Sequence, residues 1–186
     1  MKKTVIVFII ALASFSTHAA ELVVNGNFET GNFTGWTKSG NPSLSDVISN
    51  TTTSNHTFLW RSGATGSLAY ISQNLATTAG GRYDLSFDVF NSSTSNTSIF
   101  EVYFNNIQVF GFTGLVQNWT HYSFTSLLAT SGSTELKFGA RNDPSFTRVD
   151  NISVLESSSP VPEPTTYAMM LVGLGLLGFM GHRRKA

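Results

Sequence analysis

Cysteine is absent from all 186 residues. That excludes disulfides, thiolate metal sites and cysteine nucleophiles, and leaves packing to hold any domain together. Charge is scarce as well. Only 12% of residues are Asp, Glu, Lys or Arg, 11 acidic against 11 basic, about half the usual share for soluble proteins. The few Lys and Arg between residues 21 and 156 are scattered, so the clustered basic face that grips a nucleic acid is missing and no nucleic-acid partner is expected. The same stretch shows no 3.6-residue apolar period, which argues against amphipathic helices. Gly, Ser, Thr and Asn take up much of the chain in their place.

The two ends stand apart. Lys2 and Lys3 precede an apolar run from Val5 to Ala13, followed by the small residues before Ala19 and Ala20. This is the layout of a secretory signal peptide, residues 1–20, cleaved after Ala19 or Ala20. At the other end, Pro162 and Pro164 flank Glu163 and cannot continue a helix. From Thr165 no charge occurs until Arg183, and the intervening run is apolar on every face, as suits lipid or a deep core. Glu163 and Arg183 are twenty positions apart, roughly 30 Å as a helix, the thickness of a bilayer's hydrocarbon layer. The strictly apolar part, about 15 residues, is short for a span. The basic residues that close the sequence favour a single transmembrane helix over 165–181 with a basic cytoplasmic tail at 182–186. Bases at both extremes place the intervening chain on the outer side of the membrane.

Between the ends the period is two. Arg82 to Val89 alternates polar with apolar, as do Thr134 to Arg141 and, less cleanly, Gly66 to Leu75, Trp119 to Ser126 and Arg148 to Leu155. These are half-buried strands. Turn-rich breaks at Gly40-Asn41-Pro42, Thr78 to Gly81, Asn91 to Thr97, Asn105-Asn106, Ser131 to Ser133 and Asn142-Asp143-Pro144 separate them. Many short strands without helices predict an all-β antiparallel sandwich over residues 21–156. That length buries roughly two thirds of its unfolded surface in one core. Residues 157–164 form a linker ending in Pro-Glu-Pro.

Val161-Pro162-Glu163-Pro164, the apolar helix and Arg183-Arg184 together resemble the PEP-CTERM protein-sorting signal. The resemblance implies an exosortase-type membrane protease as partner. Pro162, Glu163 and Pro164 would be its recognition element, the helix a transient anchor, and Arg183 and Arg184 the cytoplasmic stop. The signal peptide implies export through the Sec machinery, and the sorting resemblance implies a membrane-anchored precursor with a final place at the cell surface or outside the cell after processing. A plain membrane anchor explains the helix and the bases but not the Pro-Glu-Pro.

Leu22 to Glu29 (Leu-Val-Val-Asn-Gly-Asn-Phe-Glu), Gly35-Trp36, Ile71-Ser72-Gln73, Gly81 to Asp88 and Val149 to Val154 look like the galactose-binding-like jelly rolls of carbohydrate-binding modules. The resemblance implies a jelly-roll β-sandwich and, by analogy, an extracellular polysaccharide as ligand. It also implies one structural Ca²⁺ between Glu29 and Asp150. Oxygen ligands suit calcium, and Asp150 shares a face with Ile152 and Val154, so its carboxylate needs a cation, a partner or backbone N–H groups. Aromatics supply stacking surface for sugars. Trp36 is expected in the core. Trp60, Glu101, Tyr103, Trp119 and His121 are the candidate ligand contacts, on the reading that Glu101 and Tyr103 share one face and Trp119 and His121 another. No catalytic residue is assigned. His56 and His121 lie in no metal-ligand spacing and beside no evident Ser and Asp partner, and Asp84 and Asp88 read as solvated strand aspartates rather than a glycosidase pair. The alternatives are a structural or adhesive matrix component without a sugar ligand, or an envelope hydrolase.

Overall fold

The computed structural model describes residues 19–50, 56–157 and 168–176. Ten strands carry the domain: β1 (Thr37–Gly40), β2 (Ser45–Ser49), β3 (Phe58–Ser62), β4 (Ala69–Ala76), β5 (Arg82–Asn91), β6 (Ile99–Phe104), β7 (Ile107–Thr113), β8 (Gln117–Leu128), β9 (Ser133–Arg141) and β10 (Thr147–Glu156). They form two five-stranded sheets, in the orders β1-β4-β9-β6-β7 and β2-β3-β10-β5-β8. Every pairing is antiparallel. The domain is a jelly-roll β-sandwich, as its period-two patterning and its resemblance lead one to expect.

Alternation decides which side chains meet between the sheets. Tyr83, Leu85, Phe87 and Val89 of β5 are buried, as are Phe100, Val102 and Phe104 of β6 and Leu136, Phe138 and Ala140 of β9. Phe87 is the hub. Its ring centroid lies 5.3 Å from Phe138, 5.9 Å from Phe100 and 5.8 Å from Phe110, in the tilted and edge-on arrangements aromatic pairs prefer.

The segment ahead of β1 is held by side chains that imitate a strand partner. Gln73 accepts from the Val24 N–H at 2.8 Å and donates to the carbonyls of Val24 and Gly35. Glu21 accepts from the N–H groups of Val23 and Val154. Phe28 is fully buried, stacked on Trp36 at 5.9 Å, and the Trp36 indole donates to the Asn25 carbonyl. Gly26 backs directly onto the Ile152 carbonyl, where a Cβ has no room. The Asn-Gly-Asn-Phe motif is therefore used by the fold itself.

The membrane helix expected over 165–181 is described only at 168–176, which is helical. Met169, Met170, Leu171, Val172, Leu174 and Leu176 are all exposed on it, at 56–72%. Among the described residues no helix is long and apolar enough to cross a membrane. The signal-peptide core, the sorting residues Pro162, Glu163, Pro164, Arg183 and Arg184, and the rest of the helix lie outside the described residues.

Candidate functional site

Side chains that point away from the core fall on two separate outer faces. On the first sheet, register aligns Tyr70 of β4, Gly139 of β9, Glu101 of β6 and Gly111 of β7 in one row. Ser72, Lys137, Tyr103 and Gln108 form the next. Residues opposite one another across antiparallel strands share a face. Strand alternation thus delivers two tyrosines, a lysine, a carboxylate and an amide to one surface.

Their contacts lock the arrangement. The Tyr103 hydroxyl donates to Glu101 Oε2 at 2.9 Å. Lys137 Nζ lies 5.0 Å from the Tyr103 ring centre, 5.9 Å from that of Tyr70 and 3.5 Å from Glu135 Oε2. The Tyr70 ring occupies the space that a side chain at Gly139 would fill. The Glu101 hydrogen bond, then burial, raises the Tyr103 pKa, and burial, then the Glu101 charge, raises that of Tyr70. Both rings therefore stay protonated and able to donate. Beside them a recess of about 350 Å³ opens between Glu101, Gln108, Gly111, Phe112 and Thr113.

The second sheet's outer face carries another constellation. Asp150 of β10 pairs opposite Asp88 of β5, and Asp88 opposite His121 of β8. His121 Nδ1 lies 2.7 Å from Asp88 Oδ1, and Asn151 donates to Asp88 Oδ2. His56 Nδ1 meets Asp150 Oδ2 at 3.0 Å, its Nε2 stands 3.9 Å from Asp88 Oδ2, and its ring stacks on Trp119 at 3.8 Å. Burial pushes the Asp150 carboxyl up to about 6, against the lowering effect of the Asn151 N–H and His56. Both ring nitrogens of His56 thus face carboxylates.

Several sequence expectations change here. Asp150 does not face the apolar side with Ile152 and Val154. The β5–β10 register shifts between Asp150 and Ser153, with Asn151 at φ 52°, and this bulge puts Asp150 on the outer side under His56. The two histidines are not isolated, since Asp88 lies against both. Trp60 leaves the ligand list: it is 0% exposed, opposite Val149 and Val47, with its indole donating to Ser45 Oγ at 2.8 Å. Trp119 has one ring face occupied by His56. Trp36 is buried, as expected. Glu101 and Tyr103 come together, as do Trp119 and His121, but on opposite sheets. Glu29 accepts from the Phe58 N–H at 3.3 Å, while Asp150 is engaged by His56 and Asn151. Among the described residues no group of three or more histidine and carboxylate side chains is arranged to hold a metal ion. Tyr70 and Lys137 escaped sequence reasoning. Their alternation within β4 and β9 is legible, but the adjacency of β4, β9 and β6 is not.

The fold is similar to the jelly rolls of several solved carbohydrate-binding modules. The module TmCBM61, solved with β-1,4-galactotriose, matches with a TM-score of 0.60 at 16% identity, over 75% of this chain and 100% of that one. The CBM22-1 xylan-binding domain of Paenibacillus barcinonensis Xyn10C matches at 0.55 with 14% identity, over 78% and 99%. The K3 adhesin domain of Lys-gingipain from Porphyromonas gingivalis matches at 0.52 with 16% identity, over 74% and 100%. At these identities the likeness is one of fold. No curated protein sequence matches the chain significantly. Residues 160–185 match the PEP-CTERM protein-sorting motif, so the chain carries that motif behind its jelly roll.

Proposed function

We propose that this chain is an exported, non-catalytic protein of the bacterial cell surface or extracellular matrix, delivered by its PEP-CTERM tail, whose domain binds extracellular polysaccharide on the outer face of the first sheet. The signal peptide directs it to the Sec machinery. An exosortase-type protease acts at Pro162-Glu163-Pro164 while the helix anchors the precursor and Arg183 and Arg184 hold the cytoplasmic side. One observation supports the binding face above others: Tyr70 and Tyr103 stand on the strands either side of Lys137, Gly139 leaves room for the Tyr70 ring, and Glu101 accepts from the Tyr103 hydroxyl. Rings supply stacking area for a pyranose, and the phenols, Glu101, Lys137 and Gln108 supply donors and acceptors for its hydroxyls. The galactotriose and xylan named for the structural neighbours make galactan and xylan the first probes.

Affinity electrophoresis of the full chain in neutral detergent tests this. Galactan or xylan is expected to retard the wild type, and Tyr70→Ala with Tyr103→Ala is expected to lose about tenfold or more in affinity, since stacked aromatics dominate such contacts. Retention unchanged by the double variant would remove this face from the proposal. Silence toward every soluble glycan would leave an adhesive matrix component in its place.

A further inference from the structure

The outer face of the second sheet holds a cation with no counter-charge among the described residues. Register aligns Asp46, Arg61, Arg148 and Phe90 across β2, β3, β10 and β5. Asp46 is fully committed to Arg61, accepting from Nε at 2.9 Å and from Nη2 at 2.6 Å. Arg148 stands directly opposite Arg61, a like-charge neighbour, and its guanidinium lies 5.0 Å over the Phe90 ring. No carboxylate or carbonyl among the described residues pairs with it. Burial, followed by the Arg61 charge, lowers the Arg148 pKa. A half-buried guanidinium without a counter-charge is left with hydrogen-bond donors that an anion would complete.

The surroundings favour a particular anion. Phe90 leads on to Trp119, 5.8 Å away, whose ring has one face stacked on His56 and the other left for a ligand. Two aromatic rings beside such a guanidinium suit a polyhydroxylated ring that carries a carboxylate, because the rings offer stacking area and the guanidinium fork matches the carboxylate geometry. The other charges nearby are spoken for: Asp88 by His121 and Asn151, Asp150 by His56 and the Asn151 N–H, Asp46 by Arg61. We infer that Arg148 binds the carboxylate of a uronic-acid-containing polysaccharide, with Phe90 and Trp119 flanking the sugar, at a site separate from the Tyr70 and Tyr103 face.

The full chain in neutral detergent is titrated with polygalacturonate, with its fully methyl-esterified form, and with poly-glutamate, in low salt. Binding of polygalacturonate that weakens as salt rises, with the ester and poly-glutamate both much weaker, is the expected result. Arg148→Gln should weaken polygalacturonate about tenfold or more, as loss of a charged hydrogen bond does, and Arg148→Lys should fall between. Tyr103→Ala should leave polygalacturonate binding unchanged, and Arg148→Gln should leave galactan or xylan retention unchanged, so the two sites fail separately. No binding by the wild type, equal binding of the ester, equal binding of poly-glutamate, or an Arg148→Gln variant that binds as the wild type does would each overturn the inference.

Discussion

Asp150 shows how far a single residue's setting departs from its place in the strand pattern. It is 1% exposed on an outer face, covered by His56, and burial holds its carboxyl near 6 instead of 3.8. A carboxyl whose folded pKa lies above its unfolded value contributes most to stability below the unfolded value, and that contribution is lost as pH rises through the folded one. The window here runs from about 4 to about 6, with an effect of up to about 3 kcal/mol. Asp150→Asn keeps the shape and cannot ionise. On moving from pH 4 to pH 7.5, urea unfolding is expected to shift the stability difference toward the variant by about 1 kcal/mol or more. A shift toward the wild type would mean that the buried carboxylate is stabilised as an anion and that the account of this cluster is wrong.

At the scale of elements, glycines in β9 and β7 create the proposed sugar face. Gly139 leaves the room that the Tyr70 ring fills, since an added Cβ would stand 2.5 Å from its Cε1. Gly139→Val is therefore expected to lift that ring and reduce galactan or xylan retention several-fold, although the added side chain would touch no ligand. Affinity electrophoresis with a parallel melting curve checks this. Retention equal to wild type in a folded variant would show that the Tyr70 position is irrelevant. The alternation of β4, β5, β6 and β9 was legible from residues alone, because period two separates Phe100, Val102 and Phe104 from Glu101 and Tyr103 without knowledge of the partner strand. Neighbours were not legible. Tyr70 and Tyr103 lie 33 positions apart in the sequence, and only the order β4-β9-β6 brings Lys137 between them. Trp60 misled because an indole next to Arg61 looks amphipathic, yet the pleat sends the two to opposite sides. Asp150 misled because a bulge breaks the period and leaves little trace in sequence.

For the whole molecule, the lack of cysteine is answered by a dense aromatic core around Phe87 and by side-chain clasps such as Gln73 on the amino-terminal segment. Such a domain folds without oxidation and suits delivery across a membrane followed by release. Its low charge leaves the two outer faces as the chemically distinctive surfaces, one tyrosine-lined and the other carrying Arg148. The roles proposed for both require that the domain reach a polysaccharide outside the cell. The intact mass of the protein recovered from the polysaccharide fraction of its native host tests that most directly. A chain beginning at Ala20 or Glu21 and ending between Pro162 and Thr166 is expected there. Recovery only in the membrane fraction, with a mass extending through Ala186, would contradict both the processing and the role outside the cell.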